Sequence, residues 1–177
     1  MHKTPLILLA LLILLPACNE EVSTTPPPLD TLIDDATKVE VLRLDGEYIE
    51  NPSDSGFLDH FKILQTLDAN SIGDDFPRQA GEAVKAAVEM NRRPTKCGLH
   101  PGVAFRFSKP NQTASFLFCF GCYDFMLLVR DGSGKLTHES THRFLKVDQR
   151  LLNAVKRAFP DDPLIAKLGP PETAPSR

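Results

Sequence analysis

The chain has 177 residues, of which 20 are Lys or Arg and 23 are Asp or Glu, so its formal net charge is −3. This mild acidity argues against nucleic acid as a partner, because no basic stripe is available to displace counterions from phosphates. The length accommodates a single domain with a hydrophobic core of its own, and one domain is the simplest interpretation.

The N-terminus has the pattern of an export signal. Lys3 lies in a short basic start, and residues 5–15 are apolar throughout. That length suits the hydrophobic region of a signal peptide and falls short of the roughly 20 residues that a membrane-spanning helix needs. The apolar stretch ends in Leu-Pro-Ala before Cys18, which resembles the lipobox of bacterial lipoproteins. We therefore expect residues 1–17 to be a signal peptide and Cys18 to be lipidated.

A lipidated Cys18 would hold the protein on a membrane without crossing it, because two or more acyl chains give stable anchoring. Residues 18–30 contain three consecutive prolines and no apolar periodicity, so we expect an extended tether. One domain is expected over 31–168, followed by a disordered Pro-rich tail over 169–177. The predicted location is the cell envelope, facing the periplasm or the exterior. The residue after Cys18 is Asn19 rather than the Asp that favours retention in the inner membrane. This points to the outer membrane.

Strand patterns and one helical pattern make up the first half of the domain. Residues 39–44 are rich in β-branched side chains, and the Asp-Gly pair that follows predicts a turn into a short return strand over 47–50. A further strand is predicted over 61–67. A helix then begins at Asp74 or Asp75 and continues with apolar residues at helical spacing.

The second half is predicted to be mostly sheet. Residues 103–107 alternate apolar and polar side chains, and 115–129 form a long β-rich run interrupted by Gly121. Turn signals at 109–111 and 131–134 predict hairpins between these strands.

The chain returns as a strand from Leu136 and ends in an amphipathic helix from Asp148, a suitable cap, to Phe159, where Pro160 stops it. No internal repeat or Gly-rich phosphate loop is present. The order of the elements predicts an α+β domain, an antiparallel sheet with two helices packed on one face.

Three cysteines remain when Cys18 is set aside, and an oxidising compartment favours a disulfide among them. If 115–129 is one continuous strand, Cys119 and Cys122 point to opposite faces, and Cys97 would pair with one of them. If Gly121 allows a tight turn, Cys119 and Cys122 converge in a redox-type CxxC loop.

The same cysteines also fit a metal site. Cys97 and His100, followed by Cys119 and Cys122, give a C-x2-H...C-x2-C pattern, which is a ligand set that tetrahedral zinc prefers. Export weakens this interpretation, because a thiolate site must compete with oxidation. The expected cofactor is therefore none or a structural zinc ion.

A second metal motif is present at His138, Glu139 and His142, which match H-E-x-x-H. In zinc peptidases the two histidines lie one helical turn apart and bind the metal, and the Glu serves as the general base. Here the segment follows a hairpin turn and contains poor helix formers. The alternative interpretation is a solvated strand or loop with two surface histidines.

The block from Cys97 to Cys122 resembles a group of uncharacterised exported or lipid-anchored bacterial proteins. The shared features are a Cys, a His-Pro pair beginning at His100, an alternating strand, and a hydrophobic strand ending in Cys-Phe-x-Cys. An Arg often precedes the His in that group, and Leu99 stands there in this chain. The resemblance implies that Cys97, His100, Cys119 and Cys122 act as one cluster, and it implies no activity.

Together these patterns predict a membrane-anchored envelope protein that works by binding or scaffolding, with an envelope protein as a possible partner, rather than by catalysis. The Cys/His cluster would stabilise its sheet. The alternative is a thiol-disulfide oxidoreductase using Cys119 and Cys122. Thioredoxin-like enzymes place such a motif where a strand enters a helix, whereas here the motif lies between strands.

Overall fold

The fold is an antiparallel sheet with helices. The computed structural model describes residues 26–52, 55–89, 93–94, 98–143 and 148–169. The predicted signal peptide, Cys18 and Cys97 lie outside the described residues, as does the predicted tail beyond residue 169.

Eight strands form one sheet in the order β2-β3-β1-β5-β6-β7-β8-β4, and every pairing is antiparallel. The strands are β1 Lys38–Tyr48, β2 Phe57–Leu58, β3 Phe61–Asp68, β4 Arg93–Pro94, β5 Val103–Lys109, β6 Gln112–Cys119, β7 Asp124–Asp131 and β8 Leu136–Arg143. The helices are α1 Leu29–Ile33, α2 Phe76–Glu89, α3 Gln149–Ala158 and α4 Pro163–Ala166, with a 3-10 turn over Ala69–Ser71.

The main core lies between α2, α3 and one face of the sheet. Side chains alternate along a strand, so every second residue of β5, β6 and β7 points towards the helices. Five of the buried phenylalanines in this layer come from these strands: Phe105, Phe107, Phe116, Phe118 and Phe125. The predicted α+β architecture, with two longer helices against an antiparallel sheet, is confirmed.

Both longer helices form where their sequence patterns place them. The backbone N–H of Phe76, the first residue of α2, donates to the carbonyl of Gly73, and the apolar stripe of α2 is buried. The carboxylate of Asp148 accepts a hydrogen bond from the backbone N–H of Arg150 and caps α3. α3 ends at Ala158, before Pro160.

The opposite face of the sheet is concave because the sheet curls. The β2–β3 hairpin reaches across this face, so that Asp59 forms an ion pair with Arg130 of β7 at 3.2 Å, although three strands separate β3 from β7 in the sheet order. A second, smaller cluster of buried apolar side chains lies on this face, including Leu42, Leu117 and Leu128.

The predicted turn at Asp45-Gly46 is wrong, because β1 continues through it to Tyr48. Gly46 has a φ of 83°, and the pairing of β1 with β3 shifts register between Leu44 and Tyr48. Asp-Gly therefore forms a bulge in a long strand instead of a hairpin. The predicted return strand over 47–50 is the end of β1 and the residues that follow it.

Two short helices are not predicted by the sequence pattern. α1 begins inside the predicted tether, and its Leu32 is only 1% exposed. The ammonium group of Lys85 on α2 forms ion pairs with Asp30 and Asp34 at 2.6 and 2.8 Å. The packed domain therefore begins two residues earlier than expected. α4 follows α3, and the carboxylate of Asp162 caps it.

Candidate functional site

Cys119 and Cys122 are joined by a disulfide at the turn between β6 and β7. Cys119 is the last residue of β6, and the chain turns before β7 begins at Asp124. The two Cα atoms are 5.5 Å apart, a usual separation for a disulfide. The expectation of a disulfide is confirmed, and the alternative in which 115–129 is one continuous strand is wrong.

The turn depends on Tyr123 rather than on the glycine that the sequence singles out. Tyr123 has a φ of 58°, which is uncommon for a bulky side chain. Gly121 has no positive φ, and a Cβ atom added there would meet nothing within 4 Å. The reason given for the tight turn, the conformational freedom of Gly121, is therefore wrong.

The two sulfur atoms have different surroundings. Cys119 is 4% exposed and belongs to the concave-face cluster, which also contains Leu99 and Leu117. Cys122 is partly exposed. The backbone N–H of Cys122 donates a hydrogen bond to Sγ of Cys119 at 3.2 Å. Cys119 is thus buried with a hydrogen-bonded sulfur, whereas Cys122 packs against the same cluster and remains partly exposed.

An ion pair fixes the strand ends beside the disulfide. Asp124 is fully buried and is the direct ladder partner of Cys119. Nε of Arg143 on β8 lies 3.2 Å from a carboxylate oxygen of Asp124. A buried carboxylate without a partner would be costly, so this pair stabilises the turn end of β6, β7 and β8 independently of the disulfide.

The predicted zinc ligands are only partly brought together. Nδ1 of His100 lies 3.0 Å from the carbonyl oxygen of Gly46, at hydrogen-bonding distance. Cys119 and Cys122 are bonded to each other, and zinc binds thiolates rather than a disulfide. Within the described ranges no group of three His, Cys, Asp or Glu side chains is arranged to hold a metal ion. A four-ligand site that includes Cys97 stays a prediction for the reduced protein.

The H-E-x-x-H motif lies on strand β8. Four residues of strand separate His138 from His142 by about 13 Å, whereas the peptidase site needs them one helical turn apart. The ladder places both histidines with the helix-facing residues Val129 and Phe125, so Glu139 points to the other face. This geometry does not fit a zinc peptidase.

These histidines have structural contacts. His138 is 1% exposed, and its Nε2 lies 2.8 Å from the hydroxyl of Ser140. The ring of His142 stacks on Phe125, with the ring centroids 5.1 Å apart. The interpretation as a strand is confirmed, whereas the expectation that both histidines lie on the surface is wrong for His138.

A polar pocket that no sequence pattern predicts lies on the concave face. Its volume is about 380 Å³, and its charged lining includes Lys38, Glu40, Asp59, Arg106 and Arg130. Its lining residues come from β1, β2, β5, β6, β7 and two turns, so no local motif could indicate it. Within β1 the trace of the pocket is Glu40, a charged residue with an apolar neighbour on each side.

Salt bridges organise the walls of this pocket. Nζ of Lys38 lies 2.7 Å from the carboxylate of Glu40, and Nε of Arg106 lies 2.8 Å from it. Desolvation raises the pKa of Glu40, but hydrogen bonds from Lys38 and Arg106 outweigh it, so the pKa lies below its ordinary value. Glu40 is therefore a carboxylate at neutral pH and holds two cations in place.

The floor of the pocket is Ser115 on β6. It is 3% exposed, and its ladder partners are Arg106 and Leu128. A small side chain between two large ones leaves space at the middle of a curled sheet. Phe57 adds an apolar wall from the β2–β3 hairpin.

No protein-family model, curated protein or solved structure matches this chain. Among the described helices, none combines the length and apolar character that a membrane span requires. The site must therefore be interpreted from its own geometry.

Proposed function

We propose that this chain is a lipid-anchored protein of the bacterial cell envelope whose domain binds a small anionic ligand in the concave pocket. The observation that carries the ligand-binding part is the pocket of about 380 Å³ in which Arg106, Arg130 and Ser115 converge. Its volume lies within the range of about 300–1,000 Å³ that small-molecule sites occupy. The anchor rests on the apolar segment before Cys18.

The hydrogen-bond donors of the pocket, rather than its net charge, favour an anion. Lys38 and Arg106 share the single carboxylate of Glu40, and Arg130 pairs with Asp59. The remaining acidic residue of the lining, Asp131, is used elsewhere, because its carboxylate accepts hydrogen bonds from the N–H groups of the β7–β8 turn. The lining therefore carries three cations and three carboxylates, and the proposed anion would be held by the guanidinium donors of Arg106 and Arg130 rather than by a net positive charge.

The geometry favours a carboxylate attached to an apolar group. A guanidinium group binds a carboxylate through two parallel hydrogen bonds, and Arg106 and Arg130 stand on two sides of Ser115. Phe57 offers a surface for the apolar part of the ligand. Benzoate has this combination and is a suitable probe.

The binding test uses the full chain in detergent, titrated with benzoate and followed by backbone amide chemical shifts. We expect saturable shifts at Ser115 and its ladder neighbours. Arg130→Gln should weaken binding at least tenfold, because it removes one cation from the pocket. Arg78→Gln makes the same change in charge on the exposed face of α2, outside the pocket, and should leave binding unchanged.

A second variant tests the volume of the site. Ser115→Leu should abolish the benzoate shifts, because the larger side chain fills the floor of the pocket. Its melting temperature checks that the domain still folds. Shifts that do not saturate, or that survive both substitutions, would refute the pocket as the binding site.

The anchor requires its own experiment. In a bacterial host the chain should take up radiolabelled palmitate and sediment with membranes, and Cys18→Ser should abolish both. Cys122→Ser is a matched cysteine substitution and should leave labelling and sedimentation unchanged. Labelling that persists in Cys18→Ser would contradict the proposed anchor.

A further inference from the structure

The strongest feature that ligand binding leaves unused is the disulfide at the β6–β7 turn. We propose that the bond between Cys119 and Cys122 is exchange-active, with Cys122 as the sulfur attacked by an incoming thiolate and Cys119 as the leaving group. Three features support exchange: Cys122 is the more accessible cysteine, the leaving group is stabilised, and the turn does not need the bond to hold its shape.

Access distinguishes the two sulfurs. A thiolate must approach a disulfide sulfur along the S–S axis, so exchange depends on which sulfur can be reached. Cys119 is 4% exposed within the concave-face cluster, whereas Cys122 packs against that cluster and is still partly exposed. The adjacent Gly121 has open space around the position of a Cβ atom. Cys122 is therefore the more accessible of the two cysteines for a thiol on another molecule.

The leaving group already has a hydrogen-bond donor. When the S–S bond breaks, its electron pair moves to Sγ of Cys119, and a buried thiolate is unfavourable without compensation. The N–H of Cys122 donates to that sulfur at 3.2 Å. The donor is part of the turn backbone, so it is in place before the reaction starts.

The turn is held without the disulfide. β6 and β7 pair along their whole length, from Gln112 opposite Asp131 to Cys119 opposite Asp124. The Asp124–Arg143 ion pair ties the same end to β8. Opening the bond therefore leaves the two sulfurs close together, ready to close again.

The exchange is balanced as follows. A thiolate RS⁻ forms a bond to Sγ of Cys122, the Cys119–Cys122 bond breaks, and Cys119 leaves as a thiolate that takes a proton. A second thiolate then attacks the sulfur atom that carries R in the mixed disulfide, a new disulfide forms between the two incoming thiols, and Cys122 leaves as a thiolate that takes a proton. Two thiols are oxidised to one disulfide, and the protein disulfide is reduced to two thiols. The reductant is a dithiol or two monothiols, and the reverse reaction oxidises them.

The test starts from the full chain, purified in detergent from the membranes of a bacterial host, exposed to glutathione, quenched with acid, and mapped by peptide mass spectrometry. We expect a Cys119–Cys122 bond before exposure and glutathione attached to Cys122 at least ten times more often than to Cys119. Amide chemical shifts of β6 and β7 recorded during reduction should remain those of the folded domain. Because each cysteine is mapped separately, reaction at Cys97 does not obscure the result.

Two variants separate the sulfurs. Cys119→Ala leaves Cys122 as a free thiol, and Cys122→Ala leaves Cys119. We expect the first to be alkylated at least ten times faster than the second. If neither variant folds, the cysteine that carries glutathione in the wild-type chain still shows which sulfur is attacked. Glutathione found on Cys119, a native bond to Cys97, or reduction that occurs only together with unfolding would each overturn the proposal.

Discussion

Replacing Arg43 by Met tests how the domain is held together beneath α4. The Arg43 side chain is about one-tenth exposed and extends from β1 to three acceptors. Its Nε donates to Asp162 at 2.7 Å, and one terminal nitrogen donates to the carbonyls of Gly102 (2.8 Å) and Leu44. Arg43 therefore joins β1 to the chain entering β5 and to the cap of α4.

The expected loss is about 3 kcal/mol. Removing one partner of a buried ion pair lowers the free energy of unfolding by about 3–5 kcal/mol. The lower end of this range applies because the Asp162 side chain is 22% exposed. Met keeps the apolar part of the side chain, so the loss reports the hydrogen bonds and the charge. With an unfolding entropy of about 0.3 kcal/mol/K for roughly 140 folded residues, the melting temperature should fall by about 10 °C.

Urea unfolding of the full chain, followed by circular dichroism, measures this loss. Arg78→Met is the matched control, because Arg78 pairs with Glu82 at 2.7 Å but is 66% exposed, and it should cost less than about 0.5 kcal/mol. A loss below about 1 kcal/mol for Arg43→Met, or equal losses for both variants, would refute the structural role given to Arg43.

Three further predictions concern other contacts. Reducing the Cys119–Cys122 bond should lower the free energy of unfolding by only about 2 kcal/mol, the entropy of closing a four-residue loop; calorimetry of oxidised and reduced protein measures it, and a loss above about 4 kcal/mol would contradict it. Because the pKa of Glu40 is lower in the folded state, its ionised form stabilises the fold above its ordinary value of 4.5 and ceases to do so as the pH falls through the lowered pKa. The stability gap between wild type and Glu40→Gln should therefore be constant above pH 4.5 and narrow below it in urea titrations, and a gap that widens on acidification would contradict this. Gly81→Ala should destabilise by about 1 kcal/mol in the same assay, because its Cβ would lie 2.9 Å from Cγ2 of Ile33 on α1, and a stabilised variant would show that α1 does not pack there.

Local patterns were sufficient for most of the secondary structure. α2 and α3 could be predicted because helical spacing and capping residues act within one segment. The turns at 109–111 and 131–134 were likewise readable. The bulge at Asp45-Gly46 could not be predicted, because the same dipeptide suits a turn or a bulge. The pairing of β1 with β3 decides between the two.

The candidate sites depend on contacts that a linear pattern does not contain. The pocket exists because the curl of the sheet brings Asp59 to Arg130. These two residues are far apart in the sequence, so no local pattern indicates that they meet. The choice between cysteine pairings depended on the φ of Tyr123, and no residue preference indicates a left-handed aromatic residue. The H-E-x-x-H motif misled in the other direction. Its residues have the spacing of a zinc site, but they lie on a strand and not on the helix that such a site needs.

The position of α1 determines how a mechanical load would enter the domain. A pulling force on the chain before residue 28 would act first on α1. Asp30 of α1 and Asp34 at its C-terminal end form ion pairs with Lys85 of α2. α1 lies in the helix-side layer with Leu32 in the main core, on the opposite side of the sheet from Ser115. Tension would therefore shear α1 from α2 before it reached the strand ladder. If the chain is anchored through Cys18 as proposed, α1 could detach under tension while the concave face keeps its shape.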